Sequence, residues 1–200
     1  DLEAPEIISS ILLSDNYNTS GQLSQLAKEN ENISLTVRSS EPLQSLGLTN
    51  VSGISTPSAF QSSDNLIWVF SHNIQSEDFG SFGYRLNYMD LAGNQGTPLD
   101  NFSSDNSSIE IDTIRPTLLD ISFFTSNDNQ SLAKYGDNLT LTFSAEETLQ
   151  TPVVVIAGET IPDSRLINLS GSTWQAAYEV KQGDNATGNY SISFLDLAGN

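Results

Sequence analysis

Apolar and polar residues alternate over short stretches of this chain. Ile33, Leu35 and Val37 alternate with polar neighbours, as do Leu66, Trp68 and Phe70, and then Tyr84, Leu86 and Tyr88. The same rhythm returns later in Leu139, Leu141 and Phe143, in Trp174, Ala176, Tyr178 and Val180, and in Tyr190, Ile192 and Phe194. A period of two sends one set of side chains to one face, so each stretch predicts a strand with one buried and one wet face, as in antiparallel sheets. The continuous apolar run 153–156 predicts a strand covered more completely. Clusters of Ser, Asn, Asp and Gly separate these stretches and read as turns. Only residues 22–30 hint at a helical turn.

The pattern occurs twice. Shifting the sequence by 106 positions places Leu26-Ala27-Lys28 on Leu132-Ala133-Lys134, Glu41 on Glu147, Trp68 on Trp174, Asp78 on Asp184 and Tyr84 on Tyr190. Asp90-Leu91-Ala92-Gly93-Asn94 recurs identically as Asp196-Leu197-Ala198-Gly199-Asn200. The lead-in repeats at an offset of 111, with Asp1 and Pro5 matching Asp112 and Pro116, so the first copy carries five extra residues before Ala27. Such self-similarity marks a tandem repeat. About seven short strands per copy predict an all-β fold of two tandem immunoglobulin-like β-sandwiches, residues 1–111 and 112–200. Trp68 and Trp174 fall in strand E, and Tyr84 and Tyr190 open strand F, where a tyrosine corner would sit. Residues 108–112 would be strand G of the first copy; the second stops short of a strand G within this chain. Either the parent chain continues, or a strand arrives from another chain.

Charge and composition narrow the chemistry. The 200 residues hold 25 Asp+Glu against 7 Lys+Arg, a formal net charge of −18 with pI near 4.1. Too few cations are present to cluster on phosphate, which argues against nucleic acid and against anionic membrane surfaces. With no cysteine, disulfides and thiolate zinc sites are excluded, and one histidine excludes multi-His metal sites. The longest apolar runs, 66–70 and 153–157, are too short to span a bilayer as a helix. A first residue of Asp rather than Met is expected for a mature product or an excised piece.

These motifs resemble the bacterial Ig-like repeats of large extracellular adhesins and surface fibres. The resemblance rests on the Asp-x-x-x-Pro lead-in, the Ala-Lys-x-x-(Asp/Glu)-x-(Ile/Leu) run before strand B, the strand-E Trp and the Asp-Leu-Ala-Gly-Asn sequence closing strand F. It covers almost the whole chain, the second copy more clearly. It implies long stalks on cell surfaces, with calcium bound at or near domain junctions in several members.

In an Ig-type sandwich the N-terminus, BC loop and FG loop share one pole. That pole collects Asp112, Glu147 and Asp196 in the second copy, and Asp1, Glu41 and Asp90 in the first. Carboxylates brought together repel unless a cation or hydrogen-bond donors intervene, and an all-oxygen set favours Ca²⁺. Two readings stay open: these two triads bind Ca²⁺, or Asp90 and Asp196 accept N–H bonds from their own Ala-Gly-Asn turns.

Sequons are the second signal. Asn-x-Ser/Thr occurs at Asn18, Asn32, Asn50, Asn101, Asn106, Asn129, Asn138, Asn168, Asn185 and Asn189. Random placement of the 18 Asn among 45 Ser+Thr would give about four, so the excess marks candidate glycosylation sites.

No nucleophile elbow, Walker or dinucleotide motif is present. His72 aligns with Tyr178 and reads as a core or edge residue, and the two Trp, recurring in register, read as core. Tyr17, Phe79, Phe82 and Phe102, exposed aromatics peculiar to copy one, are the better candidates for ligand contact. The expectation is a non-catalytic, extracellular segment of an adhesin or stalk, with neighbouring repeats as partners and surface glycans or proteins as further ones. Two alternatives stand beside it: a filament or surface-layer subunit joined by strand exchange with its own copies, and an accessory carbohydrate-binding module of a larger enzyme.

Overall fold

The structure, a computed structural model, describes residues 2–16, 25–50, 58–185 and 187–200. The chain divides into two compact units, Asp1–Thr113 and Ile114–Asn200.

Unit 1 contains β1 (Ile7–Ser14), β2 (Leu26–Ala27), β3 (Asn32–Ser39), β4 (Leu43–Asn50), β5 (Ser58–Gln61), β6 (Ile67–Asn73), β7 (Gly80–Ser81), β8 (Tyr84–Asp90), β9 (Leu99–Asp100) and β10 (Glu110–Ile111). One sheet runs β1-β3-β6-β5 and the other β4-β8-β9, the A-B-E-D and C-F-G arrangement of an immunoglobulin-like sandwich. The predicted alternation is what buries. Ile33, Leu35 and Val37 of β3 meet Trp68 and Phe70 of β6 and, from the second sheet, Leu43, Leu46, Tyr84, Leu86 and Tyr88. Each fully buried aliphatic side chain contributes about 1.5–3 kcal/mol of transfer free energy, which must suffice in a chain without disulfides.

The last segment of unit 1 does more than form one strand. It pairs with β8 through β9, then crosses to β1, where Ser104 N–H donates to Ser10 O (2.8 Å) and Leu12 N–H to Ser107 Oγ (3.0 Å). It ends as β10, parallel to β2 and antiparallel to β7, with Ile109 and Ile111 buried. The expected strand G, 108–112, thus forms β10 in a small separate sheet with β2 and β7, and the place beside β8 is taken by the earlier β9, which the alternation did not predict.

Unit 2 contains β11 (Leu118–Thr125), β12 (Asn138–Ala145), β13 (Val153–Ile156), β14 (Glu159–Thr160), β15 (Leu166–Ser170), β16 (Thr173–Glu179) and β17 (Tyr190–Ser193), with a 3-10 turn at Asp163–Arg165. Its sheets run β11-β12-β16-β15 and β14-β13-β17. Among its described residues there is no counterpart of β9 or β10. Trp174, Phe143, Leu141, Ala176 and Tyr178 pack against Val154 and Ile156 across the sandwich.

Four expectations are corrected. Leu26–Ala27 is a strand and residues 29–30 a turn, so no helix forms there; residues 22–24 lie outside the described residues. Tyr84 donates its hydroxyl to Phe102 O, downstream in the chain, instead of making the upstream bond of a tyrosine corner. Tyr190 is 41% exposed, its ring 5.1 Å from that of Phe123. Of the aromatics proposed for ligand contact, Phe79 is exposed, but Phe82 is buried and Phe102 packs against the core; Tyr17 lies outside the described residues.

Candidate functional site

The turn that closes strand F is built from the carboxylate at its head. In unit 1, Asp90 is buried, its Oδ1 accepts from Asn94 N–H (2.8 Å) and its Oδ2 from Asn94 Nδ2 (2.8 Å). In unit 2, Asp196 is fully buried, its Oδ1 accepts from Gly199 N–H (2.7 Å) and Asn200 N–H (2.9 Å), and its Oδ2 from Asn200 Nδ2 (2.9 Å). Gly93 and Gly199 sit at φ +94° and +90°, the left-handed region in which a glycine is unstrained. Burial pushes the Asp90 carboxyl up, but donation from the Asn94 side chain and from backbone N–H groups outweighs it and holds the group below the usual Asp value. These bonds are the turn-capping arrangement foreseen as one of the two readings.

Unit 2 brings a second carboxylate to the same end. Leu149 pairs with Asp196 in an isolated bridge, and Gln150 N–H donates to Leu195 O (2.9 Å), which seats the loop after β12 beside the turn. Glu147, half-buried, and Asp196 thereby offer carboxylate oxygens within 4.8 Å of each other. Asp112, the third member of the predicted set, is half-buried at the end of unit 1, its N–H donating to Ala27 O (2.8 Å). In the set predicted for the first copy, Glu41 follows β3 and Asp90 ends β8, while Asp1 lies outside the described residues.

The acid of the Ala-Lys-x-x-(Asp/Glu) motif also has a structural task. Glu31 Oε2 accepts from Lys28 N–H (2.9 Å) and Asp137 Oδ2 from Lys134 N–H (2.8 Å), closing the same turn in each unit.

Of the sequons, Asn32, Asn101, Asn106, Asn129, Asn138, Asn168, Asn185 and Asn189 are exposed. Asn18 lies outside the described residues, as does the side chain of Asn50. Asn32 sits at the head of β3, where its Nδ2 donates to Asp15 Oδ2 (3.0 Å). Trp68 and Trp174 are buried in their cores, as their shared register implied. Residue-by-residue reading missed two features: the bond between His72 and Asp78 in unit 1, and the open groove of mixed polarity on unit 2 beside β11. The first was signalled by the recurrence of Asp78 as Asp184, six residues after an aligned strand-E residue.

Two sandwiches of A-B-E-D and C-F type, carried in one chain and repeating each other's turns, define a tandem immunoglobulin-like repeat. No family model matches the chain, and no curated protein is significantly similar to it. Among solved structures, the chain is similar to the N-terminal Ig1-2 module of the Drosophila receptor protein tyrosine phosphatase DLAR, at 13% identity, covering 97% of this chain and 96% of that one, with a TM-score of 0.36. It is also similar to fibronectin(III)-like modules of Clostridium thermocellum CbhA, at 11% identity over 97% and 95% of the two chains, with a TM-score of 0.36. A surface glycan-binding protein of Prevotella bryantii matches at 13% identity and a TM-score of 0.27, over 96% of this chain and 40% of that one. Among the described residues no helix is long and apolar enough to cross a membrane.

Proposed function

We propose that this chain is a non-catalytic, extracellular repeat segment of a bacterial cell-surface adhesin or stalk. The observation that carries the reading is the duplication: strands β3 and β6 recur as β12 and β16, residue for residue, in one chain. A unit copied in tandem is the means by which a chain gains length rather than a new pocket. The strongly acidic balance favours solubility and opposes lateral association.

Within this reading, Glu147 and Asp196 of the second repeat hold Ca²⁺. Asp1, Glu41 and Asp90 are the corresponding set for the first repeat. Oxygen donors alone, two of them carboxylates within 4.8 Å, support a hard cation. A bound ion would offset the repulsion between the two carboxylates. Exposed sequons support glycosylation in a host that performs it, and neighbouring repeats of the same parent are the first partners. Calorimetric titration of the chelated protein tests the ion: heat and a rise in melting temperature at millimolar Ca²⁺ are expected, and neither appearing ends the metal reading.

A second reading, a filament or surface-layer subunit joined by strand exchange, is favoured by β17, which among the described residues pairs with β13 alone. Sedimentation separates the two, since a stalk piece stays monomeric and a filament subunit polymerises.

A further inference from the structure

We propose that unit 2 binds a neutral saccharide in the groove between the β13–β14 hairpin and the end of β16. Unit 1 shares the scaffold of this place but presents other residues on it.

The scaffold is a turn fastened to the end of strand E. In unit 2, Gly136 N–H donates to Val180 O (3.0 Å) and Val180 N–H donates to Asp137 O (2.8 Å). In unit 1, Asn30 N–H donates to Ile74 O (3.0 Å) and Ile74 N–H donates to Glu31 O (2.9 Å). Gly136 and Asn30 also share a left-handed backbone, at φ +87° and +69°. The equivalence of positions is therefore fixed by bonds as well as by the offset of 106. On this frame Tyr135 stands where unit 1 has Glu29, Glu179 where it has Asn73, and Lys181 where it has Gln75. Leu166 pairs with Ala176 as Ala59 pairs with Phe70, so Arg165 takes the position of Ser58. The differences between the copies thus collect at one groove, and a rigid frame carrying variable residues is the usual setting of a binding site.

The groove has a volume of about 400 Å³, within the roughly 300–1,000 Å³ of small-molecule sites. Ile161, Tyr178 and Val180, all buried, make its lining apolar at depth. The Tyr178 hydroxyl donates to Asp184, so the tyrosine contributes its ring. Tyr135 is 73% exposed, a large aromatic side chain left in water on a hydrogen-bonded turn. Along the walls Arg165 Nη2 lies 3.3 Å from Glu179 Oε2, and Lys181 Nζ lies 3.9 Å from Glu159 Oε2.

These four charges cancel, although the chain as a whole carries −18. A balanced set favours neither an anion nor a cation. Carboxylates only accept, and guanidinium and ammonium groups only donate, so the walls offer both roles side by side. Neighbouring sugar hydroxyls each donate and accept, which matches that arrangement. The C–H face of a pyranose ring packs by dispersion on an aromatic face such as that of Tyr135. Exposed ion pairs are weak, so the four side chains can turn from each other to hydroxyls. A plain stalk repeat needs no such site, so losing this inference would leave the proposed surface role standing.

The test is titration of the ¹⁵N-labelled 200-residue chain with the methyl glycosides of glucose, galactose, mannose and N-acetylglucosamine, beside glucuronic acid as a charged control. The expected result is saturable binding of at least one neutral glycoside at millimolar concentration. Amide shifts should fall at Tyr135, Gly136, Glu159 and Lys181, and not at Glu29, Asn30 and Gln75 of unit 1. Tyr135→Glu and Arg165→Ser install the unit 1 residues at exposed positions. Each should leave the melting transition in place and weaken binding by at least about tenfold. Absence of saturation with all four glycosides, shifts lying away from the groove, or undiminished binding by both variants would each overturn the proposal. Tighter binding of glucuronic acid than of every neutral glycoside would overturn it as well.

Discussion

His72 Nε2 and Asp78 Oδ2 stand 2.6 Å apart, with both side chains buried. In unit 2 the same two positions hold Tyr178 and Asp184, and the Tyr178 hydroxyl donates to Asp184 Oδ2 at 2.7 Å. Each acid also accepts a backbone N–H, from Gln75 (2.8 Å) and from Lys181 (2.7 Å). A carboxylate thus fastens the loop after strand E to a polar side chain on that strand, and two different residues perform the same task. His72→Tyr should therefore keep the bond and change stability by less than about 1 kcal/mol, whereas His72→Leu removes a partner of a buried carboxylate and should cost about 2–4 kcal/mol. Urea unfolding followed by Trp fluorescence measures both. A loss as large for Tyr as for Leu would refute the equivalence.

The unit 2 pair makes stability depend on pH at both extremes. The Tyr178 hydroxyl, donating to Asp184 and buried, is pushed up to about 12. Asp184 is held below the usual carboxylate value by the Lys181 N–H and the Tyr178 hydroxyl. The tyrosine contribution is complete below its unfolded value of about 10 and is lost as pH rises towards 12; the aspartate contribution is complete above about 4 and is lost as pH falls through its lower folded value. Burial also raises Tyr84 and Tyr88, so the whole protein weakens at high pH. The prediction is a difference: melting curves of Tyr178→Phe should fall less steeply than those of the parent between pH 10 and 12. Parallel slopes in that window would contradict it.

Gly96 has no room for a side chain. Its N–H donates to Tyr88 O at 3.0 Å, and a Cβ built there would stand 2.0 Å from a carbon of the buried Tyr88 ring. Gly93 is the contrasting case, with a left-handed φ but open space around it. Gly96→Ala should displace the ring and cost about 1–3 kcal/mol by overpacking, with a changed near-UV circular dichroism spectrum. Gly93→Ala should cost about 1–2 kcal/mol of backbone strain and leave that spectrum unaltered. The spectrum, not the stability loss, distinguishes the mechanisms.

Much of the sandwich was legible because alternation encodes a strand one residue at a time. The offset of 106 carries β3 onto β12 and β6 onto β16 end to end, and the offset of 111 carries β1 onto β11. Even the register shift between Ile7 and Ser9 recurs between Leu118 and Asp120. The bond between His72 and Asp78 was hidden, because a spacing of six across a turn does not reveal which side chains face inward. Phe82 and Phe102 were misplaced for a related reason. They lie outside the alternating stretches, in segments whose burial is decided by where the chain crosses the sandwich. Asp196 and Glu147 were placed at one end by topology alone, since loops BC and FG of an Ig-type sandwich share a pole. The capping role of Asp196 followed from its own sequence, as Asp followed by a Gly-Asn turn offers an acceptor to the N–H groups it precedes.

Glu147 and Asp196 differ in a way that separates capping from metal binding. Asp196 is fully buried and takes three hydrogen bonds from its own turn, whereas Glu147 is half-buried on the neighbouring loop. If the two share a cation, Glu147→Gln removes one charged ligand while leaving the turn intact. Thermal stability of the chelated variant should then match the parent, and the upward shift produced by millimolar Ca²⁺ should shrink or vanish. Asp196→Ala removes the acceptor of Gly199 and Asn200 N–H, so it should lower stability with or without calcium. The parent and the two variants, each melted with calcium and with chelator, separate capping from metal binding. A calcium shift undiminished in Glu147→Gln would remove Glu147 from the ligand set and leave Asp196 with its structural task alone.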